Sequence, residues 1–260
     1  MSRRLAELRS PEVAERVTGS SILVQPLGAI EQHGPHLPFA TDLIIAAAAG
    51  EAVVSEYGDE HDLWLMEPLA YTKSNEHAWA PGTVWLGPDT LLKVLDDIGR
   101  SAATTGARKI VFLNGHGGNS ALLGVACREL RLHHGLLTFL AHPSVPPDQG
   151  GESTSEEHGM GIHGGLEETS VVLHLRPDLV RMDLAERNIP GALVANDQVR
   201  FGGSVGFGWL ANDFGPDGHI GDPTGATAER GKARFEAAVA RLGAAFGEIA
   251  RFELPMKGDG

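Results

Sequence analysis

The chain has 260 residues, 42% of them hydrophobic, enough for a substantial core in one large domain or two small ones. Its 21 basic and 34 acidic side chains give a net charge of −13, which argues against a nucleic-acid polyanion as partner. One cysteine, Cys127, excludes an internal disulfide.

No Pro/Ser-rich linker or composition break divides the sequence, so a single domain over 1–260 is expected. The segment Met1–Ser10 carries basic residues without the apolar core of a secretory signal. The longest apolar run, Leu43–Gly50, is far shorter than the roughly 20 residues that cross a bilayer. The expectation is a soluble, cytoplasmic protein with no membrane partner.

Ser21–Leu27 is a short apolar run rich in strand formers, and Gly28 ends it. The turn-like stretch Gly28–Asp42 follows, and then Asp42–Tyr57 reads as a helix that starts at Thr41 or Asp42 and stops at Gly58. Leu63–Met66 is a second strand candidate, followed by a long loop through Tyr71–Thr83 and a helix near Thr90–Thr104. Lys109–Leu113 is a buried-type strand that runs into Asn114-Gly115-His116-Gly117-Gly118-Asn119, with a helix over Ser120–His134. Cys127 lies within that helix, where packing is its expected role.

Leu136–Leu140 is the next strand, and a helix beginning near Leu166 follows it. The region Ile189–Pro223 is Gly-rich without periodicity, and is expected to be irregular, as a lid or a subunit contact. Phe235, Ala238, Val239, Leu242, Phe246 and Ile249 recur at helical spacing, so the last helix buries one face on the sheet. Strands alternating with helices imply right-handed crossovers, and the fold class is α/β: a layered, mainly parallel central sheet flanked by helices.

The chemistry concentrates at strand ends, where open α/β sheets place ligand sites. Glu31, His33 and Asp42 follow the first strand and His116 follows the third. Glu168 falls in the first turn of the helix near Leu166, where the helix dipole favours a carboxylate. Two imidazoles and three carboxylates exceed the three protein ligands of a mononuclear site and suit two divalent ions that share a bridging carboxylate. Blander readings stand beside this one: Glu31 and His33 as a hydrogen-bonded loop, Glu168 as a helix cap, and Asn114–Gly118 as a phosphate cradle that lacks the P-loop Lys. His133 and His134 fall on a surface helix and His61 in a polar turn, where solvated side chains are the default.

Three segments together closely resemble the creatininase (creatinine amidohydrolase) family. They are Glu31-Gln32-His33-Gly34-Pro35-His36-Leu37-Pro38 with Asp42, Asn114–Asn119, and His163-Gly164-Gly165 with Glu168-Thr169-Ser170. Ser74-Asn75-Glu76-His77, Pro81-Gly82-Thr83 and Gly221-Asp222-Pro223 support the resemblance, which covers nearly the whole chain. It implies an amidohydrolase with two divalent metal ions, zinc first and manganese or iron as alternatives, and a homo-oligomer, frequently a hexamer. It also implies that Glu31 and His116 hold one metal, that His33 holds the other, and that Asp42 bridges them. Glu168 either completes the metal shell or orients the nucleophilic water.

Creatinine-cleaving members of the family carry a further Glu where this chain has Gly118, and a Trp where it has Gly159. Creatinine is therefore expected to be a very poor substrate. The substrate is expected to be a small molecule or a short peptide. The alternatives within the family are a mycofactocin-precursor peptidase, a deformylase and a small-lactone hydrolase; outside catalysis, the alternative is a metal-stabilised ligand-binding protein. His163 is the expected catalytic residue that donates to the tetrahedral oxyanion or protonates the leaving nitrogen, with a prop for Glu168 as its bland alternative. Trp209 either reaches over the site or packs as a contact residue.

Overall fold

The computed structural model describes residues 2–144 and 154–254, so part of the expected 1–260 domain lies outside the described residues. Four parallel strands form the sheet: β1 (Ile22–Leu27), β2 (Leu63–Leu65), β3 (Lys109–Asn114) and β4 (Leu137–Ala141), in the order β2-β1-β3-β4. The strands fall close to the expected ranges, and in their register Ile22 lies opposite both Leu63 and Lys109, and Leu27 lies opposite Asn114. Strand order reverses between β1 and β3. Their carboxyl ends therefore diverge into a crevice of the type that binds ligands in open α/β sheets.

Helices cover both faces because successive strand side chains alternate. Leu23, Leu27, Ile110 and Phe112 pack with Leu91 and Leu95 of α3 (Pro88–Ala103) and Leu123 and Leu130 of α4 (Ser120–His134). Ile22, Val24, Val111 and Leu113 pack on the other side with Ala49 and Val53 of α2 (Thr41–His61), and with Leu242 and Phe246 of α7 (Ala228–Arg251). A short α1 (Ser10–Arg16) precedes β1, and α5 (Leu166–Leu175) packs along α7 and α2. Among the described residues no helix is long and apolar enough to cross a membrane.

Two sequence expectations need correction. Helix α2 does not stop at Gly58, which is buried inside it against Arg3; it stops at Asp62, in the left-handed region at φ +53°. That conformation is held by hydrogen bonds to the Asp62 carboxylate from Arg3 (2.8 Å), Ser21 (2.5 Å) and Trp64 (3.0 Å). His61 is consequently the last helical residue and stacks on Tyr57, with ring centroids 6.1 Å apart. Cys127 is half-buried against the α3–α4 core, and burial pushes its thiol pKa up, away from a reactive thiolate.

The start of α2 is what places Asp42. Gly28, at the end of β1, lies so close to the first turn of α2 that a Cβ would overlap the Leu43 backbone. Only glycine lets this helix begin directly over the end of the strand.

The segment 189–223 is mainly irregular, as expected, apart from α6 (Gly191–Val194) and short turns. It is held by an apolar cluster of its own. Met160, Phe201 and Ile220 are buried there, with Trp209 edge-on to Phe201 at 5.4 Å.

Candidate metal centre and active site

Five expected residues converge at the β1–β3 crevice. Asp42 reaches both sides: Oδ1 is 3.0 Å from His33 Nε2, and Oδ2 is 3.1 Å from His116 Nδ1. Glu31, fully buried, lies 3.3 Å from His116 through Oε2 and 3.9 Å from His33 through Oε1. Glu168 Oε1 is 3.7 Å from His33 Nε2. Donor atoms of Glu31, Asp42 and His116 lie within 4.8 Å of one another, and so do those of His33, Asp42 and Glu168. Asp42 belongs to both groups. A third group joins Glu31, His33 and His163.

Backbone contacts set the rings. His33 donates from Nδ1 to the Glu31 carbonyl at 3.1 Å, which turns Nε2 toward Asp42 and Glu168. His116 donates from Nε2 to the Lys73 carbonyl at 2.8 Å, which turns Nδ1 toward Asp42. Such outer hydrogen bonds orient imidazoles for cations. Glu168 Oε2 accepts the Gly164 N–H at 2.6 Å, one residue ahead of the α5 N-cap Gly165, while Oε1 faces His33.

The residues fit a divalent cation. Both Glu31 oxygens and Asp42 Oδ2 are buried without a hydrogen-bond partner, a costly arrangement unless a positive charge sits among them. Protons take part of that place. Burial would lower His33, yet Asp42 and Glu168 hold its pKa well above the ordinary value. Burial acts likewise on His116, and Glu31 and Asp42 outweigh it. Asp42, which burial would raise, is driven well below the usual carboxylate range by His33 and His116.

His163 faces the same cluster. Its Nε2 donates to the Gln32 carbonyl at 2.6 Å, and its Nδ1 lies 3.7 Å from Glu31 Oε1. Burial, then His33 and His77, pushes its pKa well below the ordinary imidazole value, so the ring is neutral and presents Nδ1 as an acceptor. The ring lies 4.1 Å from His33 and 4.3 Å from His77.

In sequence Ser74–His77 only supports the resemblance; in the structure its Glu76 and His77 lie against the donor cluster. His77 Nε2 is 3.4 Å from Glu31, and Glu76 Oε1 is 3.5 Å from His116 Nε2. Burial would raise Glu76, but His116 and Lys73 bring its pKa down to about 2. An adjacent Glu–His pair in a polar loop was the available signal. The alternative of a phosphate cradle at Asn114–Gly118 finds little support, because amides of this loop are committed within the protein. Gly115 donates to the Leu27 carbonyl, His116 to Asn114 Oδ1 and Asn119 to the His116 carbonyl.

A cavity of about 750 Å³ opens over the cluster. Glu31, Asp42, Glu76, His116, His163 and Glu168 line its floor, and Ile162, Val171, Phe207, Trp209 and Phe235 form an apolar wall. Gly118 lines it as well; a side chain at Gly159 would instead come 3.2 Å from Arg200.

The sequence model of the family described as Creatininase, creatinine amidohydrolase, matches residues 6–246. The chain belongs to the creatininase family. This family member is 38% identical over 224 residues to the mycofactocin precursor peptide peptidase of Mycobacterium ulcerans (strain Agy99), covering 84% of this chain and 81% of that protein. It is 34% identical over 197 residues to the creatinine amidohydrolase of Pseudomonas putida, covering 69% and 74%. A manganese form of creatininase superposes with a TM-score of 0.74 at 28% identity, over 96% of this chain and 99% of that one. Membership makes the protein a hydrolase of the amidohydrolase type, and its buried donor groups suit divalent metal.

Proposed function

We propose that this protein hydrolyses the C–N bond of a short peptide or other small amide at a dinuclear centre, with zinc as the first candidate and manganese or iron as alternatives. The observation that carries the reading is Asp42, whose two oxygens face two separate donor groups on the floor of a cavity. Glu31 and His116 would hold one ion, His33 and Glu168 the other, with Asp42 between them. Divalent ions held there supply Lewis acidity, which lowers the pKa of water and polarises a carbonyl.

The chain's own groups supply orientation. His163 Nδ1 serves as an acceptor that aligns a water or substrate hydrogen at the reacting centre, rather than as a resting proton donor, because its Nε2–H is engaged by Gln32. Trp209 and Phe207 form an apolar wall that holds the substrate body and excludes water.

A peptide is favoured over a compact cyclic amide. The cavity falls within the roughly 300–1,000 Å³ of sites that enclose drug-sized ligands. The similarity to a mycofactocin precursor peptidase supports a peptide substrate. One domain assembled as a homo-oligomer remains our reading, supported by exposed Tyr71, Val84 and Trp85. Gly118, at a position where creatinine-cleaving members carry Glu, favours a second reading, a metal-stabilised binding protein without turnover.

A turnover panel with zinc, manganese or iron tests these readings, using short peptides, formamides, small lactones and creatinine. Peptide or formamide cleavage with very slow creatinine hydrolysis is expected. Efficient creatinine hydrolysis would sink the argument from cavity size and Gly118, and ligand binding by metal-replete protein without any turnover would favour the second reading.

A further inference from the structure

Glu76 stands beside His116 on the cavity floor, in none of the three donor groups formed by the described residues. Its position is fixed by its surroundings. Lys73 N–H donates to Asn119 Oδ1 at 3.2 Å, the Lys73 carbonyl accepts from His116 at 2.8 Å, and Thr72 donates to the Gly28 carbonyl at 2.5 Å. The segment bearing Glu76 is thus pinned to the ends of both β1 and β3. Lys73 Nζ then holds Glu76 Oε2 at 2.5 Å.

Opposite lies Gly118, where a Cβ would overlap Glu76 Oε1 and His116 Nε2. Gly118 is what leaves room for Glu76. The two positions form a matched pair: a side chain missing from one loop admits a carboxylate from another.

An ionised carboxylate is acceptor-only, and a largely buried one needs donors on both oxygens. Lys73 supplies a donor to Oε2. Oε1 has the His116 ring 3.5 Å away, but that Nε2–H is spent on the Lys73 carbonyl; beside cavity-lining Gly118, Oε1 is placed to accept from an amide whose carbonyl reaches the neighbouring cluster, through the N–H of the scissile bond.

We propose that Glu76 contacts substrate: Oε1 accepts that N–H, and the site thereby selects amides bearing a hydrogen on nitrogen over N-alkylated ones. The proposal rests on the amide-hydrolase reading above. Glu76 is then a specificity residue, and Lys73 the positioning residue that holds it. The bond is charge-assisted, and it strengthens as the leaving nitrogen gains positive character.

Glycylglycine and glycylsarcosine, which differ by one methyl on the scissile nitrogen, test this with the zinc-loaded full chain. The readouts are kcat/KM, calorimetric binding at low temperature and zinc content. The native protein is expected to prefer glycylglycine by roughly 10- to 100-fold in kcat/KM and in binding, the range of one hydrogen bond to a charged group. Glu76→Ala should abolish the preference by weakening glycylglycine alone, with zinc content unchanged. Glu76→Gln should restore part of it, because its amide oxygen still accepts, and Lys73→Met should reduce it with Glu76 intact.

An equal loss on both dipeptides, an intact preference or a lost zinc ion in Glu76→Ala would overturn the proposal. If the native protein cleaves neither dipeptide, the peptide-hydrolase reading fails, and the binding comparison still decides the role of Glu76.

Discussion

Glu168 accepts the Gly164 N–H through Oε2 at 2.6 Å and keeps Oε1 for His33, 3.7 Å away. One carboxylate therefore tethers the turn that leads into α5 and faces the donor cluster. Glu168→Gln should preserve this tether, since the amide oxygen still accepts, and lose about one metal ion per chain. Glu168→Ala should lose the tether as well, at a cost of about 1 kcal/mol for the lost hydrogen bond. Elemental analysis beside urea unfolding of the metal-free protein separates the two effects; full metal content in both variants would reduce Glu168 to a helix-terminal carboxylate that tethers the Gly164 turn.

Asp42→Ala should empty both metal positions, because Asp42 is the residue common to the Glu31–His116 and His33–Glu168 groups. Loss of a single ion would reject the bridging role. Calorimetric titration of the variant with zinc gives the stoichiometry.

His163→Ala should keep its metal and slow turnover by about 10²-fold or more, the scale of a lost positioned polar group at a reacting centre. Its ring touches Glu31, His33, His77 and the Gln32 carbonyl, so metal content must be measured alongside rate. Full activity would make it packing.

His36 supplies a pH dependence. Burial, then His219, lowers its pKa from 6.5 to about 4. Between these values the unfolded chain binds a proton that the folded chain refuses, so stability is full above 6.5, falls as pH drops and levels off below about 4. Each unit of difference corresponds to about 1.4 kcal/mol. His36→Gln, whose amide can still donate to the Gly164 carbonyl that His36 contacts at 3.1 Å, should lose less stability than the native chain between pH 7 and 4.5. Parallel urea curves at the two pH values check this; an equal loss in both proteins would assign the acid sensitivity elsewhere.

Local chemistry made much of this architecture legible. The apolar runs of β1 and β3 are buried along their whole length, and a strand buried on both faces is continuous in sequence. Glu31, His33, Asp42 and His116 stood out because strand ends next to glycine-rich turns are where ligands gather. Gly58 misled because its reason is tertiary: it accommodates Arg3, from near the amino terminus. Glu76 and His77 stayed hidden for a similar reason, since only the fastening of Lys73 to Asn119 and His116 brings their loop to the cluster.

The close packing of α5 along α7 has a bearing on when the cluster comes into being. Glu168 rides on α5, and α7 is the last helix of the described chain, ending at Arg251. Glu31, His33, Asp42 and His116 can be gathered early, by β1, α2 and β3, but the Glu168 arm lacks most of its supporting surface until α7 has been made. During synthesis, the nascent chain would present only a partial chelator to the cell's metal pool. Full affinity, and the stabilisation that comes from binding the native state alone, would wait until α7 has packed on α5.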